Sequence, residues 1–254
     1  RKDWVLSSIA HRLSDHTVYL TEAYRRTVQN AAGNFHHSEK TSVIPNGLKI
    51  EFYKPTHRRQ SEEIVIGMQG RMDDGKDFKT LLKAFSQLSD ILSDHQLVLE
   101  LIGDGPDRAE LEQQSPANVR FTGFLSHSEL IEHMKRWDFA VLSTDGETLS
   151  MAVLEAWALA VPLIASDVPG IEDLIVYEKD GLLFDAKSPS SLCSMLRRLV
   201  ENESAARVIG GAGRARVEKE FDRKRIWQLY QQLIRRLLHP AAHLSEPANL
   251  DSLH

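Results

Sequence analysis

The sequence predicts an α/β protein built on a doubly wound parallel sheet, with the remnant of a second α/β domain in front of it. Two observations predict the sheet. From residue 64 onward, short apolar runs alternate with amphipathic runs of helical length, the signature of βα units. Six such runs joined by helical crossovers make a doubly wound domain. A third observation concerns the front of the chain, where one strand, helix, strand unit is too small to bury a sheet of its own.

Taken in order, the elements begin with an opening helix. Thr17 to Thr21 reads as a strand, Glu22 to Gln29 as a helix and Thr41 to Pro45 as a second strand. Pro45-Asn46-Gly47 signals a turn, and Pro55 to Glu63, rich in Arg, His and Gln, reads as a linker. Candidate strands of the larger domain are Ile64 to Gln69, Gln96 to Ile102, Val119 to Thr122, Phe139 to Leu142, Pro162 to Ala165 and Leu182 to Phe184. The helices between them run near Phe78 to Leu92, Asp107 to Gln114, Ser128 to Trp137, Leu149 to Ala160, Ile171 to Val176 and Ser190 to Val200. Ala205 to Glu220 and Asp222 to Leu238 follow as helices. The expected division is 1–63 for the amino-terminal remnant and linker, 64–221 for the sheet domain and 222–238 for a helix packing back toward the amino-terminal domain. Residues 239–254 are expected to be a poorly ordered tail.

Composition narrows the function classes. A chain of 254 residues with 42% hydrophobic and 26% charged residues is ordinary globular material, which argues against disorder except at the ends. The lone Cys193 excludes an intramolecular disulfide framework and fits a reducing compartment. No apolar run approaches the ~18 residues that would span a bilayer, and Arg1-Lys-Asp-Trp does not read as a signal peptide. The expectation is a soluble, cytoplasmic protein. Net charge is −5, but residues 197 to 236 hold eleven Lys or Arg against five Asp or Glu, a local +6 that leaves −11 elsewhere. These cations could meet anionic lipid at the inner face of a membrane, yet their interleaving with acids on helices fits a solvated face better. Nucleic-acid binding is unsupported, since the total charge is acidic and no aromatic-rich basic strand is present.

The most informative local feature is a pair of carboxylates, Glu147 and Glu155, eight positions apart across a strand-to-helix turn. Both can face one polyhydroxylated ligand, because a carboxylate accepts hydrogen bonds in pairs and sugars offer adjacent hydroxyls. The helix start between them leaves the backbone N–H groups of Leu149, Ser150 and Met151 to point at a phosphate. One carboxylate for ribose and one for a hexose would hold a nucleotide sugar.

Other strand ends add to this, and in a parallel sheet the carboxyl ends of the strands carry the ligand. After the first strand, Gly70, Arg71 and Lys76 put small residues and two cations in one loop, which can offset charge building on a diphosphate leaving group. A surface loop with ordinary charges would look the same if it stood alone. After the second strand, Gly103-Asp-Gly105-Pro can approach the flat face of a base or simply turn the chain.

With these loops in order, the chain resembles the carboxyl-terminal two thirds of a retaining glycosyltransferase of the GT-B fold, in the family called group 1 or family 4. The residues that carry the resemblance are Pro45-Asn-Gly47, Gly70-Arg71 with Lys76, Leu101-Ile-Gly-Asp-Gly-Pro106, Val119-Arg-Phe-Thr-Gly-Phe124, Glu147 to Glu155 with Ala156-Trp-Ala-Leu-Ala-Val-Pro162, and Asp180-Gly-Leu-Leu183. The resemblance implies a Rossmann-like donor-binding domain, with most of the family's acceptor-binding domain, which contributes a catalytic-site histidine, missing from this sequence. It implies that Arg71 and Lys76 hold the donor diphosphate, that Glu155 accepts hydrogen bonds from the ribose and that Glu147 contacts the transferred sugar. Arg71, Lys76 and Glu147 are thus the expected catalytic residues. Gly70, Gly103, Gly105, Phe124, Leu125, Thr148, Leu149, Ser150 and Glu155 are expected to line the donor. The implied partners are a nucleotide sugar and a glycan or lipid-linked acceptor, with no metal and no cofactor beyond the nucleotide-diphosphate sugar.

Two departures matter. The family's usual Gly-Phe-Gly after the first glutamate is Thr148-Leu149-Ser150 here, which keeps the backbone donors but narrows the space near the sugar. No histidine matches the family's catalytic one: His11, His16, His36 and His37 lie in the remnant, and His127 follows the natural cap Ser126, which makes it a surface or capping-region residue. Asp145-Gly-Glu147 mimics the acid-x-acid motif that holds a divalent ion in other glycosyltransferases, but its place before a Glu-bearing helix favours the metal-free reading. The rival from another class is a binding module that holds a nucleotide sugar and transfers nothing alone.

Overall fold

The computed structural model describes residues 13–32, 38–55 and 62–239. The expected opening helix lies mostly outside the described residues, as do His11, His36, His37, most of the expected linker and the expected tail beyond His239.

The described residues form two parallel sheets. In the smaller one, β1 (Thr17–Tyr19) pairs with β2 (Thr41–Val43), and α1 (Glu22–Ala32) connects them. The larger sheet contains β3 (Glu63–Gln69), β4 (Gln96–Ile102), β5 (Val119–Gly123), β6 (Phe139–Leu142), β7 (Leu163–Asp167) and β8 (Leu182–Asp185) in the spatial order β5-β4-β3-β6-β7-β8. All of its strand pairs are parallel. The chain runs outward from β3 in one direction and then, from β6, in the other. The strand order therefore reverses between β3 and β6, and a crevice opens at their carboxyl ends.

Helices cover both faces of this sheet: α2 (Phe78–Ile91), α3 (Arg108–Gln114), α4 (His127–Met134), α5 (Met151–Ala158), α6 (Pro189–Glu201) and α7 (Glu203–Glu220), with α8 (Arg223–Leu238) leaving it. Side-chain alternation divides the core in two. Phe139 and Val141 of β6 join Ile66, Met68 and the buried faces of α2 and α6, whereas Ala140 and Leu142 join Trp137, Val153 and Trp157 on the opposite face. Helix starts follow local chemistry. Asp77, Ser188, Asn202 and Asp222 each accept a backbone N–H of the helix they open, and Ser126 with Glu129 forms a reciprocal capping box. Only two of the helices from α2 to α8, α3 and α5, lack a capping side-chain bond.

The small sheet does not stand alone. Ile44, next to β2, packs with Ile226 and Leu233 of α8 and with Val18 of β1. Leu48 bridges to Asp222 at the junction of α7 and α8, with the Leu48 amide donating to the Phe221 carbonyl (2.8 Å) and the Arg223 amide to the Leu48 carbonyl (2.8 Å).

The expected helix at Ile171 to Val176 is absent. Interlocked turns replace it, in which Ile171 and Glu172 donate to the Val168 carbonyl and Leu174 and Ile175 to the Ile171 carbonyl. The apolar spacing at Ile171, Leu174 and Ile175 is helical, but their burial serves the turns, and Asp180 ends them by accepting the Val176 amide (2.8 Å). The helix expected from Leu149 starts at Met151, after Ser150 as N-cap. Leu149 is buried upstream of it. Four of the eleven cations of the basic stretch pair along the helices themselves, Arg197–Glu201, Arg207–Glu203, Arg214–Glu218 and Arg216–Glu220, at i,i+4 spacing.

Candidate functional site

The loops at the reversal point are stitched to one another. After β3, the Gly70 amide donates to the Ile102 carbonyl (3.0 Å) and the Met72 amide to the Asp104 carbonyl (3.0 Å), so the loops after β3 and β4 run side by side. Gly103 has a φ of +134°, and a Cβ there would lie 1.9 Å from the Gly70 carbonyl oxygen. Gly105 likewise backs onto the Met72 carbonyl. The Cβ-facing sides of both glycines are thus filled by the neighbouring loop.

On the other side, the loop after β3 joins the loop after β6. Asp77 donates to the Ser143 carbonyl (3.1 Å), Thr144 Oγ1 to the Gly75 carbonyl (3.0 Å), and Lys76 and Thr144 form an antiparallel bridge. The end of β7 and the loop after it add to this: the Thr144 amide donates to Ser166 Oγ (2.9 Å) and the Glu147 amide to the Pro169 carbonyl (3.3 Å). Gly170, at φ +88°, lies so close that a Cβ would sit 1.7 Å from the Glu147 carbonyl oxygen.

The consequence is a fixed carboxylate. Lys76 Nζ and Glu147 Oε1 form an ion pair across the reversal point, with side chains only 22% and 19% exposed. Arg71 behaves differently, since its Nε pairs with Asp73 Oδ2 (2.9 Å) and its side chain is 76% exposed. A cleft of about 270 Å³ opens beside Lys76, lined also by Asp77, Thr80, Asp145 and Lys187, and reaches neither glutamate.

Glu155 lies in the second turn of α5, its side chain 12% exposed. Its Oε2 accepts from Gln69 Nε2 (2.6 Å), the last residue of β3, and its Oε1 from the Tyr53 hydroxyl (3.0 Å). Tyr53 Oη lies 2.8 Å from His127 Nε2, and the two rings meet edge to face at 5.7 Å. Burial first, and then the Glu155 charge and hydrogen bond, push the Tyr53 phenol well above its ordinary range. It stays a donor across all physiological pH.

The structure therefore brings Lys76, Glu147 and Glu155 to the ends of β3 and β6 and leaves Arg71 in solvent. Phe124 is exposed beyond β5, and Leu125 packs partly against the core. Thr148 is half-buried, while Leu149 and Ser150 are buried; Ser150 makes no capping bond with its side chain, so the first amides of α5 keep no side-chain partner. Sequence reasoning missed Gln69, Tyr53 and Gly170, and placed His127 at the surface, where it is half exposed but also touches the Glu155 network. Gln69 could have been found from its place at a strand's carboxyl end, and Gly170 from its Pro-Gly turn after β7. Tyr53 carried no such signal. Among the described residues, no three His, Cys, Asp or Glu side chains converge as metal ligands, and no helix is long and apolar enough to cross a membrane.

Comparisons with known proteins agree with this architecture. The chain is similar to the structure of HepE of Anabaena in complex with UDP and glucose, with a TM-score of 0.81 at 20% identity over 92% of this chain and 67% of that one. It is also similar to the sucrose-phosphate synthase of Thermosynechococcus elongatus, with a TM-score of 0.83 at 23% identity over 94% and 62%. Both likenesses show the fold, that of the GT-B glycosyltransferases. Among relatives in sequence, the sulfoquinovosyl transferase of Arabidopsis thaliana is 26% identical over 85% of this chain and 44% of its own length. A lipopolysaccharide core biosynthesis glycosyltransferase of Rhizobium meliloti is 28% identical over 68% and 49%. The chain thus spans about half the length of these curated relatives. The family model for group 1 glycosyl transferases matches residues 49 to 216, well over half of the chain, and the protein belongs to that family.

Proposed function

We propose that this chain holds the donor site of a retaining glycosyltransferase that moves a hexose-type sugar from a nucleotide diphosphate to a glycan or lipid-linked acceptor. The observation that carries the reading is the convergence of Lys76, Glu147 and Glu155 where the strand order of the sheet reverses. Lys76 binds the diphosphate and offsets the charge on the departing nucleotide, and Arg71 adds a second, more mobile cation. The uncapped start of α5 turns its first amides toward a phosphate. Glu155 accepts the ribose hydroxyls and Glu147 those of the transferred sugar. The bond between the anomeric carbon and the diphosphate oxygen breaks, the acceptor oxygen bonds to the same face, and its proton passes to the departing diphosphate. No metal takes part in this scheme, in which Lys76 and the first amides of α5 take up the charge of the leaving group. The family's breadth points to cell-surface polysaccharide or glycoconjugate assembly at the cytoplasmic side of a membrane. HepE is seen with UDP and with UDP-glucose, which makes uridine nucleotides the first to try.

A second reading is a nucleotide-sugar-binding module, inactive alone or dependent on a separate acceptor-binding domain. Its support is that the chain spans 44% and 49% of the two curated relatives described above. The test is incubation with nucleotide sugars and a glycan or polyprenyl-phosphate acceptor in the presence of EDTA, with the product's anomeric configuration read by NMR. Retained configuration and unchanged rate in EDTA are expected. An inverted product, or loss of activity in EDTA, contradicts the first reading; tight donor binding without any transfer supports the second.

A further inference from the structure

We propose that Tyr53 is a positioning residue that aims the Glu155 carboxylate at the vicinal hydroxyls of the nucleotide ribose. The proposal rests on the assignment of Glu155 to the ribose.

The geometry supports it in three steps. Glu155 is a largely buried carboxylate with one donor on each oxygen, Tyr53 on Oε1 and Gln69 on Oε2. A carboxylate oxygen has two acceptor sites, so each retains one. With a donor held on each oxygen the plane of the carboxylate is fixed, and one acceptor site on each oxygen is left for two adjacent hydroxyls.

The direction of the hydrogen-bond chain follows from proton count. A phenol has one proton, and a bond to a charged carboxylate is stronger than one to a neutral imidazole, so the Tyr53 proton points to Glu155. The Tyr53 oxygen then accepts from His127 Nε2, which must carry a hydrogen. His127, 3.7 Å from Glu155 Oε1 but only 2.8 Å from Tyr53 Oη, acts on the carboxylate through the phenol.

Tyr53 is also well anchored. It is 1% exposed, its amide donates to the Ile50 carbonyl (3.0 Å) and its own carbonyl accepts from Arg214 Nη1 (2.6 Å) of α7. The same short segment is tied through Leu48 to the junction of α7 and α8. A residue fixed this firmly from outside α5 can define where a side chain on α5 points.

The experiment is calorimetric titration of the wild type, Tyr53→Phe, His127→Ala and Glu155→Gln with UDP, GDP and ADP and with their 2′,3′-dideoxy counterparts. The wild type should prefer the ribose form. Tyr53→Phe, which keeps the ring, should reduce that preference roughly 10-fold, the worth of one hydrogen bond to a charged group, while leaving affinity for the dideoxy form unchanged. His127→Ala, a change at a half-exposed side chain, should reduce the preference about 2- to 3-fold and provides the reading should Tyr53→Phe fold poorly. A wild-type preference retained in both variants overturns the proposal, and so does an equal loss for ribose and dideoxy forms, which marks a merely structural role. A wild type without preference, or a Glu155→Gln variant that keeps it, overturns instead the assignment of Glu155 on which the proposal rests.

Discussion

Lys76 and Glu147 form an ion pair that spans the point where the strand order of the sheet reverses, tying the loop after β3 to the loop after β6. Each neutralises the other while the site is open. On the proposed function, a diphosphate entering this site would compete with Glu147 for the Lys76 ammonium, and a sugar hydroxyl would take up the carboxylate so released.

Opposite effects of the two partners are therefore expected. Lys76→Ala should weaken nucleoside-diphosphate binding about 10- to 100-fold, the loss of one or two charge-assisted hydrogen bonds. Glu147→Gln should leave the bare diphosphate bound as tightly as before or a few-fold tighter, while lowering affinity for the sugar conjugate relative to it. Calorimetry with a nucleotide and its sugar conjugate measures both. Equal losses for the two ligands in Glu147→Gln would contradict a contact between Glu147 and the sugar.

Arg71 should act through long-range charge. Its guanidinium is exposed and engaged with Asp73, so Arg71→Ala should cost less than Lys76→Ala, with a loss that shrinks as ionic strength rises. Titration at about 20 mM and 500 mM salt reads this out, since the Debye length falls from roughly 20 Å to 4 Å over that range. A salt-independent loss as large as that of Lys76→Ala would place Arg71 in direct contact with the diphosphate.

Gly170 should be the least replaceable residue of the loop after β7. Its positive φ strains any side chain, and the added Cβ would overlap the Glu147 carbonyl. Gly170→Ala should lower the melting temperature by several degrees and displace Glu147, reducing sugar-conjugate affinity roughly 10-fold. Unchanged affinity would show that the loop holding Glu147 adjusts freely.

Asp180 should affect stability alone. It is 1% exposed, pairs with Arg216 Nη1 (2.8 Å) and accepts the Val176 amide (2.8 Å), and its carbonyl accepts from Trp157 Nε1 (2.7 Å). Asp180→Ala takes one of two carboxylates from Arg216, which keeps Glu220 (3.2 Å), and leaves the Val176 amide without its side-chain acceptor, at a cost of about 2 to 3 kcal/mol in urea unfolding. Nucleotide affinity of the folded fraction should change little, because the Asp180 carboxylate bonds to Arg216 and the Val176 amide and to neither Glu147 nor Glu155.

What could be read in the sequence was what depends on local pattern. The six strands of the large sheet stand within two residues of their expected places, because each is a short apolar run with a turn after it. Ile171 to Val176 misled because burial at helical spacing also suits interlocked turns. At the site, Glu147 and Glu155 could be seen as a pair because one strand-to-helix turn carries both. Their contacts with Lys76 and Tyr53 could not. Lys76 is 71 positions from Glu147, and Tyr53 is 102 positions from Glu155, so each contact exists only once the order of strands is known. His127 looked like a cap neighbour because its local sequence is a capping box; its contact with Tyr53 depends on how α4 packs over the segment before β3.

The central claim is that the side chains gathered at the ends of β3 and β6 bind a nucleotide-diphosphate sugar. A thermal-shift titration of the wild type and of a Lys76→Ala, Glu155→Gln double variant with UDP, GDP, ADP and their sugar conjugates tests it most directly, since a ligand of the folded state raises the melting temperature. A rise is expected for the wild type with one nucleotide and its conjugate, and none for the double variant at the same concentrations. The same rise in both proteins, or none in the wild type with any nucleotide, would contradict it.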